Sequence, residues 1–271
     1  MKQAAFFTDL DGTIINRDKQ ISEKDIIALQ KINSFYYTIA ITGRNILSFK
    51  KVLKNDYPFD YVVFSNGAGI YDFKNRSVIY KQNFEKRLLK PIISLLLEEN
   101  VNFFVQYPIP DNHYCEYVRR YPQQDFERKI ELYKEYSKPL NLSQLPLEAS
   151  ELIIILDNEK EFFRLKNKLA VFDITLIRST SPIDNKSIWL EIFHKDVSKA
   201  KTAVRLCKNL GIEISKCVAL GNDYNDKDLL DSVGKSFVVR NSTISSSDYT
   251  IVSDNNNSPI AYLLERKLLG Y

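Results

Sequence analysis

The chain has 271 residues, 44% hydrophobic and 27% charged, a composition that folds and that suffices for one large domain or two modest ones. Thirty-eight Lys and Arg against 34 Asp and Glu leave a formal charge of +4. That charge is spread without a basic block, which argues against nucleic acid as the principal partner. The longest apolar runs, "IISLLL" and "LIIIL", fall far short of a membrane span, so no membrane association is expected.

In chain order, "AAFFT" reads as a short buried strand, cut off at Asp9 before a signal-peptide core could form. "SEKDIIALQKIN" follows as a helix, with Ser22 as N-cap and Ile26, Leu29 and Ile32 on one face. "YTIAIT" and "YVVFS" read as further strands on either side of the helix "NILSFKKVLKN". This alternation predicts right-handed crossovers and a parallel sheet covered by helices. Ligands in such sheets lie at the carboxyl ends of the strands. "DLDGT", "TGR" and "SNGAG" follow the three strands at that edge.

"YDFKNRSVIYKQ" reads as a hairpin turning near "KNR". "FEKRLLKPIISLLLEEN" reads as a helix with Pro91 near its first turn. Five strand-like runs come next, from "VNFFVQYP" to "SIWLEIF", with helices over 124–137 and 159–170. The parallel pattern then resumes. "VSKAKTAVRLCKNLG" is a helix capped by Ser198 and closed by Gly211, followed by strands "KCVAL", "KSFVV" and "DYTIV" and a closing helix over 258–270. The fold class is therefore α/β, a Rossmann-like parallel-sheet core with an α/β domain inserted into it. The core is assigned to residues 1–81 and 187–271, the insert to 82–186.

Asp9 and Asp11 set two like charges at the end of an apolar strand. Capping the next turn would explain either one. Gly12 permits a sharp bend, Thr13 adds a hydroxyl, and Thr42 with Gly43 ends the next strand. A second acidic cluster, Asp223, Asp226 and Asp228, follows a later strand. Carboxylates gathered in space need a cation, and hard oxygen ligands select Mg²⁺. The two histidines lie far apart, which argues against a histidine-rich metal site. Lys199 and Lys201 stand in the first turn of a helix, where each opposes the dipole by about 0.3–1 kcal/mol. They are either solvated or face an anion. Lysine, threonine hydroxyl, backbone amides and Mg²⁺ together make a phosphoryl site.

These residues carry a family resemblance. "DLDGT", "ITGR", the lysine of "VSKAK" and "GNDYND" stand in the order and spacing of the four motifs of the haloacid dehalogenase superfamily. Over essentially its whole length the chain resembles the Cof-like phosphatases with a type IIB cap, the cap being the inserted domain. The resemblance implies that Asp9 is the nucleophile, that Asp11 is the acid–base, and that Thr42 and Lys199 hold the phosphoryl oxygens. It implies Mg²⁺ bound by Asp9, by the carbonyl of Asp11 and by the fourth-motif loop, with Asn222, Asp223 and Asp226 as candidates. Leu10, Gly43, Arg44, Asn66, Gly67 and Asn225 are the implied phosphate- and substrate-binding positions. One position departs from the family, since Asn222 stands where an aspartate is usual.

The expected activity is hydrolysis of small phosphate monoesters, sugar phosphates above all, by way of an aspartyl-phosphate. The alternatives are a phosphomutase and a non-catalytic phospho-receiver. The cap is expected over the carboxyl edge of the core sheet. There Tyr107, His113, Tyr114, Arg119 and Arg120 could face either the substrate or the solvent. The only partner expected is a small phosphorylated metabolite, bound by a monomer or weak homodimer. Three cysteines without a CxxC point to the cytoplasm.

Overall fold

The first strand, β1 (Ala5–Thr8), is buried at all four positions. The run Ala5-Phe6-Phe7 requires this, because it has no polar side to give to water. The structure, a computed structural model, describes residues 2–184, 186–244 and 248–266. Its contacts divide the chain into two compact units, Met1–Tyr80 with Ser198–Tyr271, and Lys81–Val197.

After β1 come α1 (Glu23–Asn33), β2 (Tyr37–Ile41), α2 (Ile46–Val52), β3 (Tyr61–Phe64) and the pair β4 (Gly69–Asp72) and β5 (Ser77–Lys81). Ser22 caps α1 through Asp25 N, at 3.1 Å, and Asn45 caps α2 through Ser48 N, at 2.9 Å.

The second unit contains β6 (Phe84–Glu85), α3 (Lys86–Glu98), β7 (Phe103–Gln106), β8 (Cys115–Val118), α4 (Gln124–Leu132), β9 (Ser137–Pro139), β10 (Glu148–Ala149), β11 (Glu151–Leu156), α5 (Glu159–Leu169), β12 (Ile174–Thr180) and β13 (Ile188–His194). Pro91 lies in the second turn of α3, next to the first; it faces solvent, so the carbonyl it leaves unbonded can be hydrated. One reading of the sequence is corrected here. The helix read over 124–137 stops at Leu132, and Ser137–Pro139 pairs with β8 instead.

The chain returns through α6 (Lys199–Leu210), β14 (Val218–Gly221), α7 (Lys227–Ser232), β15 (Lys235–Val239), β16 (Thr250–Val252) and α8 (Pro259–Glu265). The last four residues of the closing helix read from the sequence lie outside the described residues. The return also starts later than residue 187. β13 pairs with β12 over its whole length and with β11 over Ile188–Ile192, so its hydrogen bonds tie it to the second unit.

The eight-stranded sheet of the first unit runs β16-β15-β14-β1-β2-β3-β4-β5. β16 through β3 are parallel and β4 turns back antiparallel on β3. Phe7, Ile39, Val63 and Ala219 face one core with Ala203 and Leu206 of α6 and Leu229 and Leu230 of α7. On the other side α1 and α8 meet, where Asp25 Oδ1 accepts from Ile260 N and Ala261 N, both at 2.9 Å.

The second unit builds a six-stranded sheet, β12-β13-β11-β7-β8-β9, with a separate pair of β10 and β6. Phe103, Val105, Leu152, Ile154, Leu190 and Ile192 pack one face of the sheet against α3 and α5. Phe104, Ile153, Ile155 and Trp189 pack the other against Phe126 of α4. Among the described residues, no helix is long and apolar enough to cross a membrane.

Candidate active site

Parallel pairing decides where the loops meet. Thr8 stands opposite both Leu220 and Ala40, and Ile41 opposite Val63. The segments that follow β1, β2, β3 and β14 therefore leave the sheet at one edge.

Asp9 is fixed by its N–H, which donates to the Leu220 carbonyl at 2.9 Å. Its side chain is buried. Oδ1 accepts from Lys199 Nζ at 2.7 Å, and Thr13 Oγ1 lies 3.1 Å from Oδ2. The same hydroxyl lies 3.0 Å from Asn222 Oδ1. Gly12 makes this approach possible. Its φ is 72°, and a Cβ there would fall 2.6 Å from Asn222 Nδ2.

Lys199 begins α6, and its side chain is fully buried. Its ammonium also donates to Asp226 Oδ1, at 2.6 Å. Burial alone would drive the proton off, but the Asp226 and Asp9 carboxylates outweigh it and hold the proton more tightly than in a free lysine. For Asp9 the balance goes the other way. Burial pushes its carboxyl up to about 7 against the pull of Lys199, and the charges of Asp226 and Asp11 add to the rise. One ammonium thus serves two buried carboxylates, which leaves a surplus of negative charge at the end of β1.

Asp226 holds the fourth loop in shape. Its Oδ2 accepts from Asn222 N at 2.9 Å and Asp223 N at 3.1 Å, and a Cβ on Gly221 would lie 2.7 Å from its own Cβ. With Oδ1 on Lys199 and Oδ2 on two N–H groups, its carboxylate braces the loop. Asp223 caps the turn at 224–226 and accepts from Thr243 Oγ1 at 2.6 Å. Of the two candidates in this loop, Asn222 is the one whose side chain reaches the Asp9 loop. Among the described residues, no group of three or more His, Cys, Asp or Glu is gathered to hold a metal ion. The carboxylate of Asp11 is held by Arg44, while its charge still acts on Asp9. Arg44 binds it from both sides, with Nε to Oδ2 and the terminal NH2 group to Oδ1, each at 2.7 Å.

Thr42 and Asn66 link the second and third loops. The Thr42 hydroxyl accepts from Arg44 N at 3.1 Å, and the Thr42 carbonyl accepts from Asn66 N at 3.0 Å. Ser65, Asn66 and Gly67 all have positive φ, of 49°, 51° and 104°. This tight turn buries the Asn66 amide, whose oxygen accepts from Asn225 Nδ2 at 3.0 Å. Gly43 sits against the same amide, 3.4 Å from it at the place of a Cβ. Gly67 offers its carbonyl to Thr202 Oγ1 at 2.7 Å. Leu10 is buried, and its carbonyl closes the first loop on Thr13, Ile14 and Ile15.

The sequence-selected residues thus form a set with two hydrogen-bonded groups in the first unit. One joins Asp9, Lys199, Asn222, Asp223 and Asp226, with Leu10 attached through Thr13. The other joins Asp11, Arg44, Thr42, Asn66 and Asn225, while Gly43 packs on it and Gly67 binds Thr202. Sequence reading passed over three supports of this set. Ser48 Oγ accepts from Arg44 NH1 at 2.9 Å, and Thr202 and Thr243 act as above. Only Ser48 carried a signal, four residues after Arg44 in a helix start.

The family model of haloacid dehalogenase-like hydrolases matches residues 6–264. A protein of Buchnera aphidicola subsp. Baizongia pistaciae, classed by its name with the phosphatases, is 28% identical over 243 residues, 87% of this chain and 85% of that one. The HMP-PP phosphatase of Yersinia pseudotuberculosis is 22% identical over 242 residues, 88% of this chain and 83% of its own. A solved sugar phosphatase of subclass IIB superposes with a TM-score of 0.73 at 17% identity, over 98% of this chain and 99% of that one.

Proposed function

The chain belongs to the haloacid dehalogenase-like hydrolases, and we propose that it is a Mg²⁺-dependent phosphatase that cleaves small phosphate monoesters, sugar phosphates foremost, through an aspartyl-phosphate on Asp9. Its named relatives make it a phosphoric monoester hydrolase. The observation that carries the finer reading is the buried Lys199 ammonium shared by Asp9 and Asp226 at 2.7 and 2.6 Å. A lysine so placed keeps Asp9 aimed and supplies positive charge where a phosphoryl group would gather negative charge.

In the first step an Asp9 oxygen attacks phosphorus, the ester P–O bond breaks, and Asp11 gives its proton to the leaving oxygen. In the second, Asp11 takes a proton from water. The water oxygen attacks phosphorus, the bond to Asp9 breaks, and inorganic phosphate leaves with both side chains restored. Arg44 grips both oxygens of Asp11, so this pair opens when Asp11 donates. A phosphoryl group competing for the guanidinium would open it. The Thr42 hydroxyl, the backbone amides around Leu10 and Gly43, and Lys199 receive the phosphoryl oxygens. Asn66, Gly67 and Asn225 shape the neighbouring wall.

The donor set suits Mg²⁺. Asp9, the carbonyl of Asp11 and the amide oxygen of Asn222 are hard oxygens, and the local surplus of negative charge calls for a cation. When bound, the ion neutralises phosphoryl oxygens and offsets the charge on Asp9. Residues Lys81–Val197 form the inserted cap of this class, and we assign the choice of substrate to it. The test is hydrolysis of an aryl phosphate by the purified chain with Mg²⁺ and after chelation, followed by a screen of phosphorylated sugars. No turnover with any of them in Mg²⁺ would reject the reading.

A further inference from the structure

The second unit holds a cavity of about 620 Å³ whose lining includes Tyr107, Tyr114, Tyr136, Asp111, Glu135 and Ser137. Its size falls within the range of small-molecule sites. Strand pairing builds it. Tyr107 follows β7, Tyr114 precedes β8 and Tyr136 precedes β9. Backbone hydrogen bonds hold Tyr107 N to Tyr114 O and Cys115 N to Tyr136 O, both at 2.9 Å.

The rings form a continuous wall. Tyr107 and Tyr114 have centroids 5.9 Å apart, and Tyr114 and Tyr136 lie 5.5 Å apart at 70°. His113 supports both, 4.3 Å from Tyr114 and 5.4 Å from Tyr136. Burial pushes the His113 imidazole below its ordinary range, so it stays neutral near pH 7. Tyr114 is 39% exposed, so part of this wall is open to a ligand.

The charges in and around the cavity are unequal. Lys138 also lines the cavity and lies 5.9 Å from the centroid of the Tyr107 ring, which leaves the Tyr114 and Tyr136 rings to a ligand. Its charge is paired with Glu116 at 3.2 Å, and Tyr107 OH donates to the same carboxylate at 3.3 Å. Asp111 and Glu135 are exposed and, among the described residues, form no ion pair. Two uncompensated carboxylates therefore stand beside an aromatic wall whose ring faces are themselves electron-rich. Ser137 Oγ is buried in the lining and makes no hydrogen bond. A phosphate would be repelled here. A positively charged nitrogen is favoured twice, by the carboxylates and by the ring faces.

We propose that this cavity is a binding site for a small organic cation: a flat ring bearing a quaternary or protonated nitrogen, its ring against the tyrosine wall and its charge toward Asp111 and Glu135. The site is distinct from the phosphoryl chemistry assigned to the first unit.

Calorimetric titration of the full chain with benzyltrimethylammonium, benzyl alcohol and phenylacetate tests this. The cation is expected to bind with Kd below about 1 mM, and the neutral and anionic probes at least tenfold more weakly. The double variant Asp111→Asn, Glu135→Gln should weaken the cation by about tenfold, and Tyr114→Ala by about fivefold. If circular dichroism shows that Tyr114→Ala unfolds, Tyr114→Leu removes the ring face while keeping bulk. Equal binding of the three probes, no binding of the cation up to 10-fold above the expected Kd, or variants without effect would each overturn the proposal.

Discussion

Arg44 holds both carboxylate oxygens of Asp11 at 2.7 Å while Ser48 braces the far side of its guanidinium. A planar fork of this kind fixes the orientation of the carboxyl plane as well as its position. Lysine cannot reproduce it. Arg44→Lys is expected to lower kcat for an aryl phosphate by about tenfold, with Ser48→Ala causing a smaller loss, since the guanidinium that leaves Asp11 would grip the phosphoryl oxygens with the same planar fork. Wild-type kcat in Arg44→Lys would show that the fork plays no part in turnover.

Asp9 is the nucleophile of the proposed reaction. Asp9→Asn should cut turnover by a factor of about 10³ or more while the fold persists, because the covalent step loses its carboxylate nucleophile. Quenched samples of the wild-type enzyme should trap a phosphorylated chain that the variant does not form. A variant that turns over at the wild-type rate would move the nucleophile elsewhere.

The fourth loop separates two neighbouring residues. Asn222 faces Asp9 through Thr13, whereas Asp223 is occupied with Thr243 and with its own turn. Asn222→Asp should lower the Mg²⁺ concentration for half-maximal activity, since a charged ligand attracts the ion more strongly. Asp223→Ala should leave that concentration unchanged and cost about 1 kcal/mol of stability through the lost cap. The reverse pattern in a Mg²⁺ titration and a melting experiment would exchange the two roles.

Metal-free protein should lose stability as pH rises. The Asp9 carboxyl goes from 3.8 in the free group to about 7 in the fold, so the native state keeps a proton that the unfolded chain has released. The stabilisation is complete below the unfolded value and disappears as pH passes through the folded one. Melting temperature should therefore fall between pH 4 and pH 7 in the presence of chelator, and Asp9→Asn should flatten that slope. An identical slope in the two proteins would remove Asp9 as its source.

Gly67 combines a left-handed backbone with a close backbone neighbour. Its φ is 104°, and a Cβ would fall 2.4 Å from the Ser198 carbonyl oxygen. Gly67→Ala should destabilise the protein by roughly 2 kcal/mol or more, combining a left-handed conformation with a backbone clash. Urea denaturation with an unchanged midpoint would mean that the turn relaxes freely.

Some of this was readable from local pattern. Ser22, Asn45, Ser198 and Gly211 stand at helix ends because side-chain caps and a left-handed glycine satisfy backbone groups within a few residues. Apolar runs such as Phe6-Phe7 and Val62-Val63 mark strands for the same local reason. Where local signals compete, the reading failed. Lys129 and Tyr133 continue a helical pattern that tertiary pairing ends, because Ser137–Pro139 gains hydrogen bonds from β8.

The sequence by itself determined the strand ends, their glycines and the types of oxygen and nitrogen groups they carry, because these follow from neighbours in the chain. Only the tertiary structure decided which of those groups touch. Thr8 opposite Leu220 sets Asp9 beside a loop more than 200 residues away, and no periodicity encodes that register. It also decided that Asp226 braces its loop while Asn222 faces Asp9, that Arg44 takes both oxygens of Asp11, and that three tyrosines from separate segments form one wall. Each outcome depends on side-chain directions fixed by packing, which a linear pattern of residue types does not contain.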